Sequence, residues 1–257
     1  MVVDSHGNMF VHHTKRNRKP RMGTHRTLKR QHSESMNIRM DHLRTIEPVT
    51  IRQQEAFDAY KSGNNLALVG TAGTGKTFLA MYFALVEILD KGTPYQSLHI
   101  IRSAVPTREV GFLPGTIEEK LQAFTGPYRA VAADLFEDDR AYEKLVHNKY
   151  IEFESTSYIR GITFDDTIVL VDEMQNLNFH ELDSVITRIG NNCKVIFCGD
   201  GKQSDFKTDK DKKGISTFLE ILEQMKHFET VNFCWEDIVR SGLVRDYIMT
   251  KEHMGIA

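Results

Sequence analysis

An α/β domain built on a parallel sheet is what this sequence predicts, and three observations predict it. Short apolar runs of strand length alternate with helical patterns from Val49 onward. Those runs lack polar alternation, as strands buried on both faces do. The first run leads through a glycine-rich turn directly into a helix. Such alternation places helices on both faces of a parallel sheet.

Taken in order, the spacing of Ile51, Ala56, Phe57 and Tyr60 predicts a helix over Ile51 to Tyr60, stopped by Ser62-Gly63-Asn64. Leu66 to Val69 is the first buried strand, and Lys76 to Asp90 the helix after the glycine turn, ended by Lys91-Gly92. A second strand is expected at Leu98 to Ile101. A helical region follows over Ile117 to Val146, broken around Thr125-Gly126-Pro127. Further strands are expected at Tyr150 to Phe153, Thr167 to Val171, Lys194 to Cys198 and Val231 to Phe233. Helices are expected at His180 to Ile189, Ile215 to His227 and Asp237 to Lys251.

The 257 residues suffice for one such domain with a tail, and 40% hydrophobic with 26% charged residues is ordinary for a globular chain. No run of 18 apolar residues occurs, so no membrane span is expected. No secretory leader pattern opens the chain. Cys193, Cys198 and Cys234 do not make a disulfide framework or four-ligand zinc spacing, so a reduced, cytoplasmic protein with packed cysteines is expected. The net charge of −2 conceals an asymmetry: ten Lys/Arg face three Asp/Glu through Thr45, against 23 and 32 afterwards. The basic residues cluster in Lys15 to Arg21, then Arg26, Lys29 and Arg30, without periodicity. Residues 1–47 therefore read as a basic flexible N-terminal arm and 48–257 as the folded domain. Such an arm releases counterions from a nucleic-acid backbone, or serves only as a solubilising tail.

Gly70-Thr71-Ala72-Gly73-Thr74-Gly75-Lys76-Thr77 satisfies every fixed position of G-x-x-x-x-G-K-[ST], between a buried strand and a helix. Glycines let backbone N–H groups turn inward around phosphate oxygens, and the helix N-terminus adds partial positive charge. In that setting Lys76 reaches the β- and γ-phosphates of ATP, and the Thr77 hydroxyl ligates Mg²⁺. The strand ending in Val171 delivers Asp172 and Glu173 at its C-terminal end, where open α/β sheets bind ligands. Asp172 suits the Mg²⁺ shell, and Glu173 suits the attacking water. Gln203, in a loop after another strand, is a candidate γ-phosphate sensor; its alternative is a solvent-facing loop amide. Gln53 or Gln54 can pair with adenine and so select ATP, and no Asn-Lys-x-Asp motif reads guanine. Arg240 is the candidate cation facing the γ-phosphate, or else a surface partner of Glu236 or Asp237. Arg102, Arg108 and Arg160 are candidate nucleic-acid contacts, with salt bridges in a net acidic core as their alternative.

Several blocks together resemble the PhoH family of ATPases, which shares a core with superfamily 1 helicases. They are Gly70 to Thr77; Ile101 to Val105 with Gly111-Phe112-Leu113-Pro114-Gly115; Tyr158 to Phe164; Asp172 to Asn176; Thr187 to Gly190; Gly199-Asp200 with Gln203; and Asp237 to Arg240. Departures are Ser103 where proline is usual, Met174 for alanine, Thr71 where proline is common, and Arg108-Glu109 for a Gly-Glu pair. The resemblance implies a single RecA-like P-loop NTPase domain, ATP held at Gly70 to Thr77, Asp172 and Glu173, and helicase-like action on single-stranded RNA or DNA. It also implies ring-like homo-oligomers, of which a hexamer is one form. The 210 residues from Pro48 onward hold one α/β lobe and not two. An arginine finger must then come from Arg240 or from a neighbouring subunit. A P-loop kinase, and a regulatory module that binds ATP with little turnover, remain the other classes; the first would need an acceptor pocket and lid, and Glu173 argues against the second.

Overall fold

Residues 36–103, 124–156, 159, 161–200 and 209–254 are described by a computed structural model, the side chains of 209–212 excepted. Arg108, Arg160 and Gln203, and residues 1–35 of the arm, for which the sequence raised expectations, lie outside that set.

Six parallel strands form one sheet: β1 Asn65–Gly70, β2 Ser97–Arg102, β3 Ile151–Ser155, β4 Thr167–Val171, β5 Lys194–Gly199 and β6 Phe228–Phe233. Their order across the sheet is β3-β2-β4-β5-β1-β6, every pair parallel. Successive side chains of a strand point to opposite faces, and β1 divides accordingly. Leu66 and Leu68 enter one core, with Ile100, Leu170 and Ile196; Ala67 and Val69 enter the other, with Val169, Val171 and Phe197. All five residues of β4 are buried, as its unbroken apolar run predicts.

Helices α1 Ile51–Lys61, α2 Lys76–Leu89, α3 Gly126–Phe136 and α4 Ala141–His147 supply the first core. The second is covered by α5 Phe179–Ile186 and α6 Asp209–Gln224, through Leu182, Val185, Phe218 and Leu222. Helix α2 buries eight of its residues, Leu79 to Leu85 and Ile88, because it lies sandwiched over the sheet centre. The expected α/β architecture, a parallel sheet with helices on both faces, is the one the chain adopts. No described helix is long and apolar enough to cross a membrane.

Three local expectations are corrected. Residues 36–47 lie against the domain rather than trailing with the arm: Ile38 is buried, the Arg44 N–H donates to Leu135 O (2.9 Å), and the Arg44 guanidinium pairs with Asp134 (2.6 Å). Ile38, Leu43 and Ile46 give this stretch apolar surface to bury. The helical region ending near Val146 breaks a second time, at Glu137, which adopts φ 50° and ends α3; Asp138 then accepts the Arg140 N–H (3.0 Å) and starts a new turn into α4. The helix expected over Asp237 to Lys251 is instead a 3₁₀ turn, Trp235–Asp237, an irregular stretch, and α7 Gly242–His253. Its physical cause is tertiary: the Val239 N–H donates to Gly73 O (3.1 Å), so it cannot close a helical turn.

Candidate active site

Where β1 runs into α2 the backbone must turn sharply, and three glycines take conformations that side chains rarely adopt: Gly70 at φ 124°, Gly73 at 78° and Gly75 at 88°. At Gly70 a Cβ would sit 1.9 Å from the carbonyl oxygen of Phe233 on β6. Only glycine lets β1 end there.

Four carbonyls of this turn are engaged within the protein. Gly70 O and Thr71 O each accept from Lys76 Nζ at 2.7 Å. Gly73 O accepts the Val239 N–H, and Thr74 O accepts Gln53 Nε2 at 3.2 Å. Thr71 O also receives the buried Thr74 hydroxyl (3.0 Å). With these carbonyls occupied, the turn presents its amides: among the described residues, the N–H groups of Gly73 to Thr77 make no backbone bond outside the helix. The first N–H groups of α2 have no intrahelical partner in any case. This donor set fits a polyphosphate anion. Burial pushes the Lys76 ammonium below its ordinary value, while Asp200, Glu173 and Asp172 oppose that from nearby.

Opposite the turn stands the end of β4. Although β5 lies between β4 and β1, the Thr77 hydroxyl donates to Asp172 Oδ1 at 2.9 Å. The other carboxylate oxygen accepts from the Tyr128 hydroxyl, also at 2.9 Å. Burial, and then the like charge of Glu173, push the Asp172 carboxyl above its ordinary range; the Tyr128 and Thr77 hydrogen bonds and Arg102 pull it back. With its one hydrogen donated to Asp172, the Thr77 hydroxyl has only lone pairs left to offer. Two oxygens of this kind, one anionic, are the ligands that a hard cation such as Mg²⁺ takes.

Glu173 follows in the left-handed region, φ 51°, a conformation that non-glycine residues keep only where surroundings impose it. Its Oε2 accepts from Gln175 Nε2, and Gln175 Oε1 accepts the Asp200 N–H at 3.1 Å. Gln175 thus ties the end of β4 to the end of β5. The tie requires Gly199, where a Cβ would lie 2.6 Å from Gln175 Oε1.

The structure separates the two glutamines that sequence left as alternatives. Gln53 is buried beside the turn, whereas Gln54 is turned along its own helix to Asp58 (2.9 Å). Arg240 lies against the turn, its Cγ 3.0 Å from where a Cβ of Gly73 would stand, and makes no ion pair among the described residues. Asp237, its suggested surface partner, is buried and accepts the Cys234 N–H (3.0 Å). Arg102, at the end of β2, lies within the fields of Asp172 and Tyr128 and over the Phe124 ring (5.7 Å). Lys76, Thr77, Asp172, Glu173, Gln53, Arg102 and Arg240 are thereby brought around one turn, and Gln54 is not.

Sequence reasoning missed three participants. Tyr128 and Glu252 carry no motif; Glu252 Oε1 accepts the Thr71 hydroxyl at 2.7 Å from α7. Gln175 stood within a recognised block but without a role. The cysteines are free thiols, Cys198 buried in β5 as expected. Trp235 is 44% exposed on its 3₁₀ turn.

Residues 45–251 match the family model described as PhoH-like protein. The chain is 31% identical over 215 residues to a PhoH-like protein of Mycobacterium leprae (strain TN), covering 83% of this chain and 60% of that one. To protein PhoH2 of Bacillus subtilis (strain 168) it is 34% identical over 171 residues, 64% of this chain and 38% of the other. To protein PhoH of Escherichia coli (strain K12) it is 30% identical over 205 residues, 78% and 57%. It therefore spans about three fifths of the length of the first relative and less of the others. Among solved structures, a large terminase from a thermophilic bacteriophage, in complex with ADP, aligns at TM-score 0.48 and 14% identity, over 78% of this chain and 49% of that one. Bacteroides Pif1 bound to ssDNA aligns at TM-score 0.36 and 13% identity, over 80% and 46%.

Proposed function

This chain belongs to the PhoH-like family, and from that membership and its site we propose that it binds ATP with Mg²⁺ and hydrolyses it to ADP and phosphate, coupled to binding or remodelling of RNA. One observation carries the reading: Thr77 of the glycine turn and Asp172 of a strand two places away meet at 2.9 Å. A glycine turn alone could be a loop, and an acidic strand end alone could be a surface turn. Their convergence supports one site for a triphosphate and its cation.

In this reading the amides of Gly73 to Thr77 hold the phosphates, and Lys76, fixed by two carbonyls, directs its charge to the β- and γ-oxygens. Thr77 and Asp172 would hold Mg²⁺, which neutralises charge between phosphate oxygens when bound. Glu173, oriented by Gln175, accepts the proton of the attacking water. Arg240, which lies against the glycine turn, is proposed as the cation facing the terminal phosphate, and Gln203 as the sensor. Gln53 supports the turn from beneath and selects adenine through its remaining amide capacity. Nucleic acid is engaged by Arg102, Arg108, Arg160 and the basic residues before Met36, in a soluble cytoplasmic homo-oligomer whose ring brings subunits together around the site.

The test is ATP turnover with and without single-stranded RNA, single-stranded DNA and duplexes. Stimulation by RNA, with Lys76→Ala losing ATP binding, is the expected result. Normal turnover by Lys76→Ala sinks the site assignment. Phosphate transfer to an added acceptor would instead make the protein a kinase.

A further inference from the structure

Tyr128 is completely buried, yet it carries a hydroxyl, and that hydroxyl points at a charged group. Its two polar neighbours have opposite capacities. The Arg102 guanidinium can only donate, and an ionised Asp172 can only accept. A phenol has one hydrogen and two lone pairs, so it can serve both, but in one direction alone. The Arg102 charge acts on the Tyr128 hydroxyl from nearby, and Tyr128 donates to Asp172 Oδ2 at 2.9 Å. The remaining oxygen, Oδ1, accepts from Thr77. The carboxylate is thus gripped at both oxygens, by α2 on one side and α3 on the other. Pro127 in the first turn of α3 and the Phe153 ring, 5.5 Å from that of Tyr128, hold the phenol in place independently of Asp172.

We propose that Tyr128 is a positioning residue for the divalent cation: its hydrogen bond to Asp172 sets the orientation of the carboxylate that shares the cation with Thr77. This rests on the reading of Thr77 and Asp172 as cation ligands. It adds that a helix outside the recognised motifs governs cation affinity.

Tyr128→Phe removes one oxygen and keeps the ring. In the full-length chain, Mn²⁺ binding is followed by loss of the free-ion paramagnetic resonance signal, at saturating fluorescent ATP analogue. Half-saturation should rise about tenfold, the usual effect of removing a hydrogen-bond partner of a metal ligand. Affinity for the same analogue in EDTA should stay within about twofold, since the phosphate-binding amides are untouched. Unchanged Mn²⁺ dependence in Tyr128→Phe, whatever happens to its melting temperature, overturns the proposal. Asp172→Asn separates the two levels. If it too leaves Mn²⁺ binding unchanged, the ligand assignment fails; if it alone weakens binding, only the role of Tyr128 fails.

Discussion

Replacing Gln53 by alanine removes a side chain that is 5% exposed and holds two segments at once. Its Nε2 donates to Thr74 O at 3.2 Å, and its Oε1 accepts the Val49 N–H at 2.9 Å. The Thr74 carbonyl lies in a buried residue, so losing its partner costs about 1–3 kcal/mol. Val49 is 73% exposed, so its N–H regains water at a cost of about 0.5 kcal/mol. With the lost methylene packing, the sum is about 2–4 kcal/mol, or roughly 5–15 °C of melting temperature for a domain this size. Gln54→Ala is the internal control. Its amide bonds Asp58 one turn along an exposed helix face, worth about 0.2–0.5 kcal/mol. Gln53→Glu keeps the volume and the acceptor for Val49 but sets a carboxylate oxygen against the Thr74 carbonyl, and should be no milder than alanine. Thermal unfolding followed by circular dichroism, with ATP-analogue affinity on the same samples, measures all three. Equal losses for Gln53→Ala and Gln54→Ala would refute the reasoning, as would a Gln53→Ala melting point within about 2 °C of the parent.

Gly70→Ala should be severe, because its Cβ would meet the Phe233 carbonyl oxygen at 1.9 Å and can be admitted only by parting β1 from β6. Gly63→Ala, at φ 87° with open space around it, should cost only the backbone penalty of about 1–2 kcal/mol; urea midpoints for the pair check this. Glu173→Gln should bind ATP with parental affinity while single-turnover hydrolysis falls by about 10²–10⁴-fold; parental turnover would remove Glu173 from the chemistry. Arg240→Ala should slow turnover by at least about tenfold with an unchanged melting temperature, and an unfolding loss without a rate effect would make Arg240 a packing residue.

The strands were legible because burial on both faces leaves an unmistakable record: Thr167 to Val171 is apolar after its first residue, and it lies in the sheet as read. The turn at Gly70 to Thr77 was legible because its backbone geometry admits few residues. What escaped was decided between distant segments. Helical periodicity from Asp237 onward could not reveal that the Val239 N–H is claimed by Gly73. The choice between Gln53 and Gln54 is a rotation of about 100° around one helix, and only the position of the turn decides it. Tyr128 looked like any aromatic core residue; its hydroxyl acquires meaning from a carboxylate 44 positions later. Helix α6 begins at Asp209, earlier than the apolar pattern from Ile215, since its first turns carry charge and present no apolar face to read.

The fastening of the glycine turn has a consequence for the order in which the molecule can be made. Its residues leave the ribosome before Phe233, Val239 and Glu252, which shape it, the Thr71–Glu252 bond closing over 181 positions. Strand β1 likewise waits for both of its neighbours, β5 and β6. A nascent chain holding all the motif residues therefore still lacks a formed cradle. Nucleotide cannot template the early stages of folding, and capture of a nucleotide in the proposed site would report that the chain has closed on itself.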